Sequence, residues 1–314
     1  MVNYWEHLVK NLENQKNKNY WFENKENNVE AIIQEITKLK TELSISGLKN
    51  KTVSVQTSTN IEQFISIVAI GLAEGIPCPL GAQGSSPAIK EFGDKFDFYL
   101  SKIGEVSELN KGSGEINCPS PDTTDVCMGY STSGTTTGIK KVVYQTHQQL
   151  FSTEVAINDR MSGPKFGSEL IITPFDNAYW FGRVRCLIAK KSNIYFAPNP
   201  INPIKVAQIL KQNDIRGMSC DAPFFVFLSK FFERKSDDTI LKLEYVKVAS
   251  APLDVEFIKR FYLEDKRPKI FYNYGLTEAM RCCILCLPNE LEKLGSVGKP
   301  LKNVNIGIID SDGE

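Results

Sequence analysis

Apolar residues recur at helical spacing from Asn28 to Leu43. Val29, Ile32, Ile33, Ile36, Leu39 and Leu43 share one face, and lysines and glutamates fill the other. Such a stripe predicts a helix with one buried side. Thr52 to Gln56 follows as a short strand. Asn60 is placed to cap the next helix, whose Ile61, Phe64, Ile65, Val68 and Leu72 form a buried face and which Gly75 ends. Ile76 to Leu80 then reads as a strand, although Pro77 and Pro79 each remove a ladder donor. Strand, helix and strand at this spacing predict parallel βαβ units.

Residues 107 to 124 are rich in Ser, Gly, Asn, Pro and Asp and read as a surface connection. Strands are predicted at Val126 to Met128 and Val142 to Tyr144, and Thr146 caps a helix running to about Met161. Ser162 to Gly167 breaks the pattern and marks a boundary between two lobes. A second series then alternates. Leu170 to Thr173, Asn193 to Ala197, Ile215 to Ser219, Tyr245 to Ala249 and Ile270 to Tyr272 are strands. Trp180 to Lys190, Ile204 to Gln212, Ala222 to Phe232 and Val255 to Phe261 lie between them as helices. The fold class is α/β, with two lobes of mostly parallel sheets flanked by helices. Residues 1–165 form the first lobe, 166–295 the second, and 296–314 begin something further. Ligands of such sheets sit at the carboxyl ends of the strands.

Composition narrows the partners. The chain has 314 residues, 42% of them hydrophobic, enough for a large core. A formal net charge of zero gives no electrostatic pull toward nucleic acid or an anionic membrane. No apolar run approaches the length that crosses a bilayer, and Met1 to His7 lacks a signal-peptide pattern, so the expectation is a soluble, cytoplasmic protein. Its eight cysteines are scattered and read as reduced thiols. Cys282, Cys283 and Cys286 cluster in an apolar run with no histidines beside them, which favours a buried strand over a zinc site.

The stretch from Gly129 to Lys141 carries the strongest chemical signal. Ser131, Thr132, Ser133, Gly134, Thr135, Thr136, Thr137 and Gly138 are small, and Lys140 and Lys141 follow Ile139. Hydroxyls and glycines let a backbone wrap closely round an anion and offer donors without bulk, while lysine adds charge. This is not a Walker loop, because Gly134 and Gly138 are too close and Ile139 precedes the lysine. The other reading is a flexible polar turn between strands.

Ser133-Gly134-Thr135-Thr136-Thr137-Gly138-Ile139-Lys140 resembles the signature loop of the adenylate-forming superfamily: acyl- and aryl-CoA synthetases, peptide-synthetase adenylation domains and beetle luciferase. Thr137 stands where the second glycine is usual, and Ile139 where proline is usual. Tyr274-Gly275-Leu276-Thr277-Glu278 resembles the second signature, aromatic-Gly-X-Thr-Glu. The resemblance implies that a carboxylate attacks the α-phosphorus of ATP, giving an acyl adenylate and pyrophosphate. It puts Lys140, Thr277 and Glu278 in the chemistry. The loop residues would hold the β- and γ-phosphates, Thr277 the α-phosphate, Tyr274 with Asn273 and Gly275 the adenine, and Glu278 a Mg2+ ion.

Phe175-Asp176-Asn177-Ala178-Tyr179-Trp180 resembles the Phe-Asp-X-Ser-X-Trp segment of amino-acid-activating domains, whose aspartate pairs with the substrate ammonium. Acyl-CoA synthetases instead carry an aromatic or histidine shortly before the glycine that Gly182 matches, which puts Tyr179 against the acid. Asp176 as a simple helix cap is the structural alternative. Ala249, Ser250, Ala251 and Pro252 resemble a glycine-richer pocket wall, and their bulk implies a narrowed pocket. His147 falls where family members often have a histidine and reads as structural or supporting.

The resemblance therefore implies an acid activated for transfer to CoA or to a carrier-protein pantetheine. It also implies that most of the β-barrel subdomain, and a C-terminal domain or partner chain supplying the rest of the machinery, lie beyond these residues. On that expectation the chain alone adenylates poorly. The alternative is a catalytically silent module that binds nucleotide and acid.

Overall fold

The computed structural model describes residues 3–22, 25–80, 96–102, 105–108, 125–132, 141–161, 167–173, 175, 178–197, 201–263 and 267–310. Helix α1 (Tyr4–Glu13) is capped by the Asn3 side chain, which accepts from the amides of Trp5 and Glu6. Strands β1 (Asn19–Phe22) and β2 (Lys25–Asn28) form an antiparallel pair. Asn28 then caps α2 (Val29–Ser44), and the predicted stripe from Val29 to Leu43 is the buried one apart from Ile33, which is only half-buried.

Strand β3 (Thr52–Val55), helix α3 (Asn60–Leu72) and strand β4 (Ile76–Pro79) make the expected βαβ unit, with β3 and β4 parallel. The cap of α3 is one residue earlier than predicted. Thr59 accepts from the Glu62 amide, while Asn60 is buried and turns its amide nitrogen toward Ala197 O at 3.5 Å. Strands β5 (Phe98–Lys102) and β6 (Glu105–Glu108) complete a four-stranded sheet in the order β4-β3-β5-β6. Strand β6 takes up the first residues assigned to a connection at 107–124. The rest of that segment lies outside the described residues.

Strands β7 (Val126–Ser131) and β8 (Val142–Thr146) pair antiparallel as a separate hairpin. Thr146 and Gln149 then form a reciprocal capping box on α4 (His147–Arg160). The remaining elements alternate: β9 (Ser168–Ile172), α5 (Ala178–Ala189), β10 (Asn193–Phe196), α6 (Pro203–Gln212), β11 (Gly217–Asp221), α7 (Ala222–Glu233), β12 (Tyr245–Ala249), α8 (Val255–Phe261), β13 (Lys269–Tyr274), β14 (Cys283–Leu287) and β15 (Lys299–Pro300).

These strands build a nine-stranded sheet in the order β15-β14-β13-β12-β11-β9-β10-β1-β2. Its interior pairs are parallel, and antiparallel strands β2, β14 and β15 close the edges. The architecture is thus α/β with mostly parallel sheets flanked by helices. The pair β1–β2 joins this sheet rather than the four-stranded one, so the sheets do not follow the break at 162–167. One apolar core joins Trp5, Phe64, Phe181 and Phe196, and therefore links the N-terminal helices to the large sheet. Helix α5 runs through the middle of it, with Trp180 to Ile188 all buried.

Candidate active site

The hairpin below the first sequence signature meets the second signature, which emerges at a strand end. Below the first, the hairpin is closed by paired contacts. The Thr132 amide donates to Lys141 O at 2.8 Å, and the Lys141 amide donates to Thr132 Oγ1 at 3.1 Å. Ser131 ends β7, half-buried. The loop residues Ser133, Gly134, Thr135, Thr136, Thr137, Gly138 and Lys140 lie outside the described residues.

The second signature leaves β13 through a tight turn. Leu276 and Ala279 exchange backbone hydrogen bonds of 3.2 Å, and the Cys282 amide donates to Tyr274 O at 2.9 Å. A Cβ on Gly275 would lie 2.4 Å from the Arg281 nitrogen, so only glycine fits where the chain doubles back. Arg281 itself holds φ at 60°, in the left-handed region. Tyr274 at the strand end is 41% exposed, an accessible ring face. Asn273 beside it is buried. Its Nδ2 donates to Phe271 O at 2.8 Å and its Oδ1 has no partner.

Hairpin and turn are joined by side chains. Lys141 Nζ lies 2.7 Å from Glu278 Oε1, and Gln145 Nε2 donates to Thr277 O at 3.4 Å. The hydrogen bond from Lys141, helped by the residue's own backbone N–H, holds the Glu278 carboxyl below the usual carboxylate range. Sequence reasoning gave Lys140 to the phosphates, and that residue lies outside the described ones; the described cation at Glu278 is its neighbour Lys141.

The region expected to receive an acid is assembled from α5, β12 and the turn before β14. Asp176 lies outside the described residues. Tyr179 is half-buried; its hydroxyl donates to Lys247 O at 3.3 Å and its carbonyl accepts from Arg281 Nη2 at 2.9 Å. Trp180 is placed differently from the expected substrate contact. It is fully buried against Phe175, Phe181 and Phe196, as a core residue. Ala249 ends β12, and Ser250, Ala251 and Pro252 follow it at the carboxyl edge. Ser250 has φ 71°, a conformation in which glycine is at ease.

His147 anchors the N-terminal helix: its Nδ1 accepts from the Tyr4 amide at 3.0 Å, and burial lowers its pKa. Sequence reasoning missed a buried polar layer on α5. Arg183 Nε donates to Glu169 Oε1 at 2.6 Å, its Nη2 meets the other carboxylate oxygen, and Ser219 and Tyr245 hydroxyls also donate to Glu169. The signal was present as single charged residues inside apolar runs, Glu169 and Lys247 among them.

The family described as AMP-binding enzyme matches residues 93–314, a span that includes both signatures. Among curated relatives, the chain is 27% identical over 195 residues to acyl-CoA ligase sidI of Aspergillus fumigatus, covering 60% of this chain and 32% of the relative. It is 28% identical over 200 residues to 4-coumarate--CoA ligase-like 1 of Arabidopsis thaliana, covering 60% and 36%. The chain spans roughly a third of the length of these relatives. In structure it is similar to the N-terminal domain of FACL13 from Mycobacterium tuberculosis, with a TM-score of 0.82 at 14% identity, covering 100% of this chain and 86% of that one. It is also similar to o-succinylbenzoate coenzyme A synthetase from Bacillus subtilis in complex with AMP, with a TM-score of 0.76 at 16% identity and coverage of 99% and 83%. The family match runs through the hairpin base and the strand-end turn that Lys141 and Glu278 tie together, and the chain belongs to the family of AMP-binding enzymes.

Proposed function

We propose that this chain binds ATP and a carboxylic acid in one cleft and that the pair reacts to acyl-AMP and pyrophosphate. A carboxylate oxygen attacks the α-phosphorus, and the bond from that phosphorus to the bridging oxygen of the leaving pyrophosphate breaks. The acyl group then passes to a thiol, on CoA or on a carrier-protein pantetheine. The observation that carries this reading is the meeting of Lys141 with Glu278 at 2.7 Å, which brings the base of an anion-cradling loop against a carboxylate-bearing turn.

The residues present fit the nucleotide. Asn273 Oδ1 is a buried acceptor without a partner, suited to the exocyclic amine of adenine, and Tyr274 offers a ring to stack on it. Lys140 and the loop amides would neutralise the β- and γ-phosphates. The Thr277 hydroxyl would donate to the α-phosphate, where charge shifts during attack. Among the described residues no group of three or more His, Cys, Asp or Glu could hold a metal. That fits a hard cation bound by one carboxylate together with substrate phosphates, the usual arrangement for Mg2+. Glu278 is that carboxylate. When bound, the ion screens phosphate charge; the chain's own part is to orient the acid and hold the triphosphate in line with it.

Calorimetric titration with AMP, and with ATP plus Mg2+, tests the first half of this reading. Acid-dependent release of pyrophosphate, measured with any completing domain added back, tests the second. A chain that binds neither nucleotide sinks the proposal. One that binds both nucleotides and acid but releases no pyrophosphate is the silent module.

A further inference from the structure

Below Tyr179 lie two buried basic side chains for which the described residues supply no anion. Lys247 sits in the interior strand β12 with no exposed surface, and its Nζ has no hydrogen-bond partner. Arg281 is 6% exposed; its guanidinium donates to the carbonyl of Tyr179. Both face the same ring: Lys247 Nζ is 5.4 Å and Arg281 Cζ 4.7 Å from the Tyr179 centroid. Gly182 makes room for this arrangement, since a Cβ there would fall 3.0 and 3.1 Å from the two terminal nitrogens of Arg281.

The nearby carboxylate is already committed. Glu169 takes two hydrogen bonds from Arg183 and one each from Ser219 and Tyr245. Buried cations are retained where an anion meets them, because desolvation without a partner is costly. Arginine cannot shed its proton to escape that cost. Lysine can. Burial, reinforced by Arg281 and Arg183, pushes Lys247 well below the usual lysine range. Side chains two apart on a strand share a face, so Lys247 lies on the face of Ala249, at the carboxyl end where the acid is expected.

We propose that Lys247 and Arg281 form an anion-binding floor of the acid pocket, and that the acid taken by this chain is a dicarboxylate. One carboxylate meets ATP; the other replaces the Tyr179 ring as the neighbour of the two cations. The proposal rests on the nucleotide- and acid-binding reading above. It gives Lys247 a role that packing does not: a well-packed methionine would serve the core better.

Titration of the full chain with AMP comes first, and stands or falls with the nucleotide reading alone. The AMP-loaded chain is then titrated with dicarboxylates from succinate to suberate, and with the monocarboxylate and monomethyl ester of each length. One dicarboxylate is expected to bind roughly tenfold or more tighter than its matched monocarboxylate. Lys247→Met should erase that preference while leaving AMP affinity unchanged. Repeating the titration in buffers of different ionisation heat gives a second readout. Because the neighbours Arg183 and Arg281 stay charged and Glu169 stays ionised, proton uptake on binding belongs to Lys247 and should vanish in Lys247→Met. Equal affinities for dicarboxylate and monocarboxylate with AMP binding intact, or a preference that survives Lys247→Met, overturns the proposal and leaves the nucleotide reading standing. Dicarboxylate preference in a chain that fails to bind AMP does the reverse.

Discussion

Lys141 Nζ sits 2.7 Å from Glu278 Oε1, joining residues 137 positions apart across the gap between the hairpin and the large sheet. The side chains are 61% and 43% exposed, so solvent screens the pair and its direct stabilisation is at most about 1 kcal/mol. Its importance lies in what it positions.

Replacing Glu278 by Gln should therefore leave folding almost untouched. We expect the melting temperature to move little and metal-free AMP affinity to stay within about threefold. The gain in ATP affinity produced by Mg2+ should disappear, because the amide is a poor ligand for a hard cation. Calorimetry with and without Mg2+ decides this; a metal-dependent gain that survives the substitution removes Glu278 from the metal site.

Gly275→Ala attacks the same turn through space rather than charge. The new Cβ would lie 2.4 Å from backbone nitrogen, where no flexible side chain can yield. A loss of about 1–3 kcal/mol in urea unfolding is expected, with a weaker AMP site as Tyr274 is displaced. Wild-type stability and AMP affinity in the variant would show that the turn tolerates the atom.

Acid stability should depend on Glu290. Burial raises its pKa, but Arg160 hydrogen bonds at 2.7 Å, the Cys286 amide and Lys299 outweigh burial and hold the carboxyl down to about 2. The unfolded value is about 4.3. A depressed native pKa contributes stability that is complete above the unfolded value and is lost as pH falls toward the native one. Unfolding free energy should thus decline between about pH 5 and 2, and Glu290→Gln should flatten part of that decline while lowering stability at pH 7. Parallel pH profiles for the two proteins would exclude the residue.

Lys247 gives a slope of the same sign in a higher pH range. Its native pKa is depressed, so the unfolded chain holds that proton to a higher pH than the folded chain does. Stability then rises with pH from the native pKa up to about 10.4. Lys247→Met should melt at a higher temperature than wild type at pH 7, with the difference shrinking as pH approaches 10. A variant that melts lower throughout would mean the ammonium is satisfied in the fold.

The alternation of strands and helices was legible because apolar runs of strand and helix length are spaced by Gly, Pro and Asn. Val29 to Leu43 and Tyr245 to Ala249 show this directly. The pair β1–β2 was not legible, since Lys25 to Asn28 is wholly polar and is held by ladder hydrogen bonds to its neighbour. The cap of α3 fell on Thr59 because Asn60, equally good locally, is drawn into the interface with Ala197. At the site, Tyr274 to Glu278 was readable as a motif. The role of Arg281 was not, because it depends on a positive φ and on the space above Gly182.

Helix α5 contributes Trp180 and Phe181 to the interior shared by both sheets, Arg183 to the Glu169 layer, and Tyr179 to the wall facing Lys247. On the proposed reading of the pocket, successive residues of one rigid rod thus serve foldedness and ligand choice at once. Any attempt, by evolution or by design, to retune which acid is accepted through this segment will be constrained first by whether the whole polypeptide still assembles, so selectivity here should drift through β12 and the turn at Arg281 rather than through the rod.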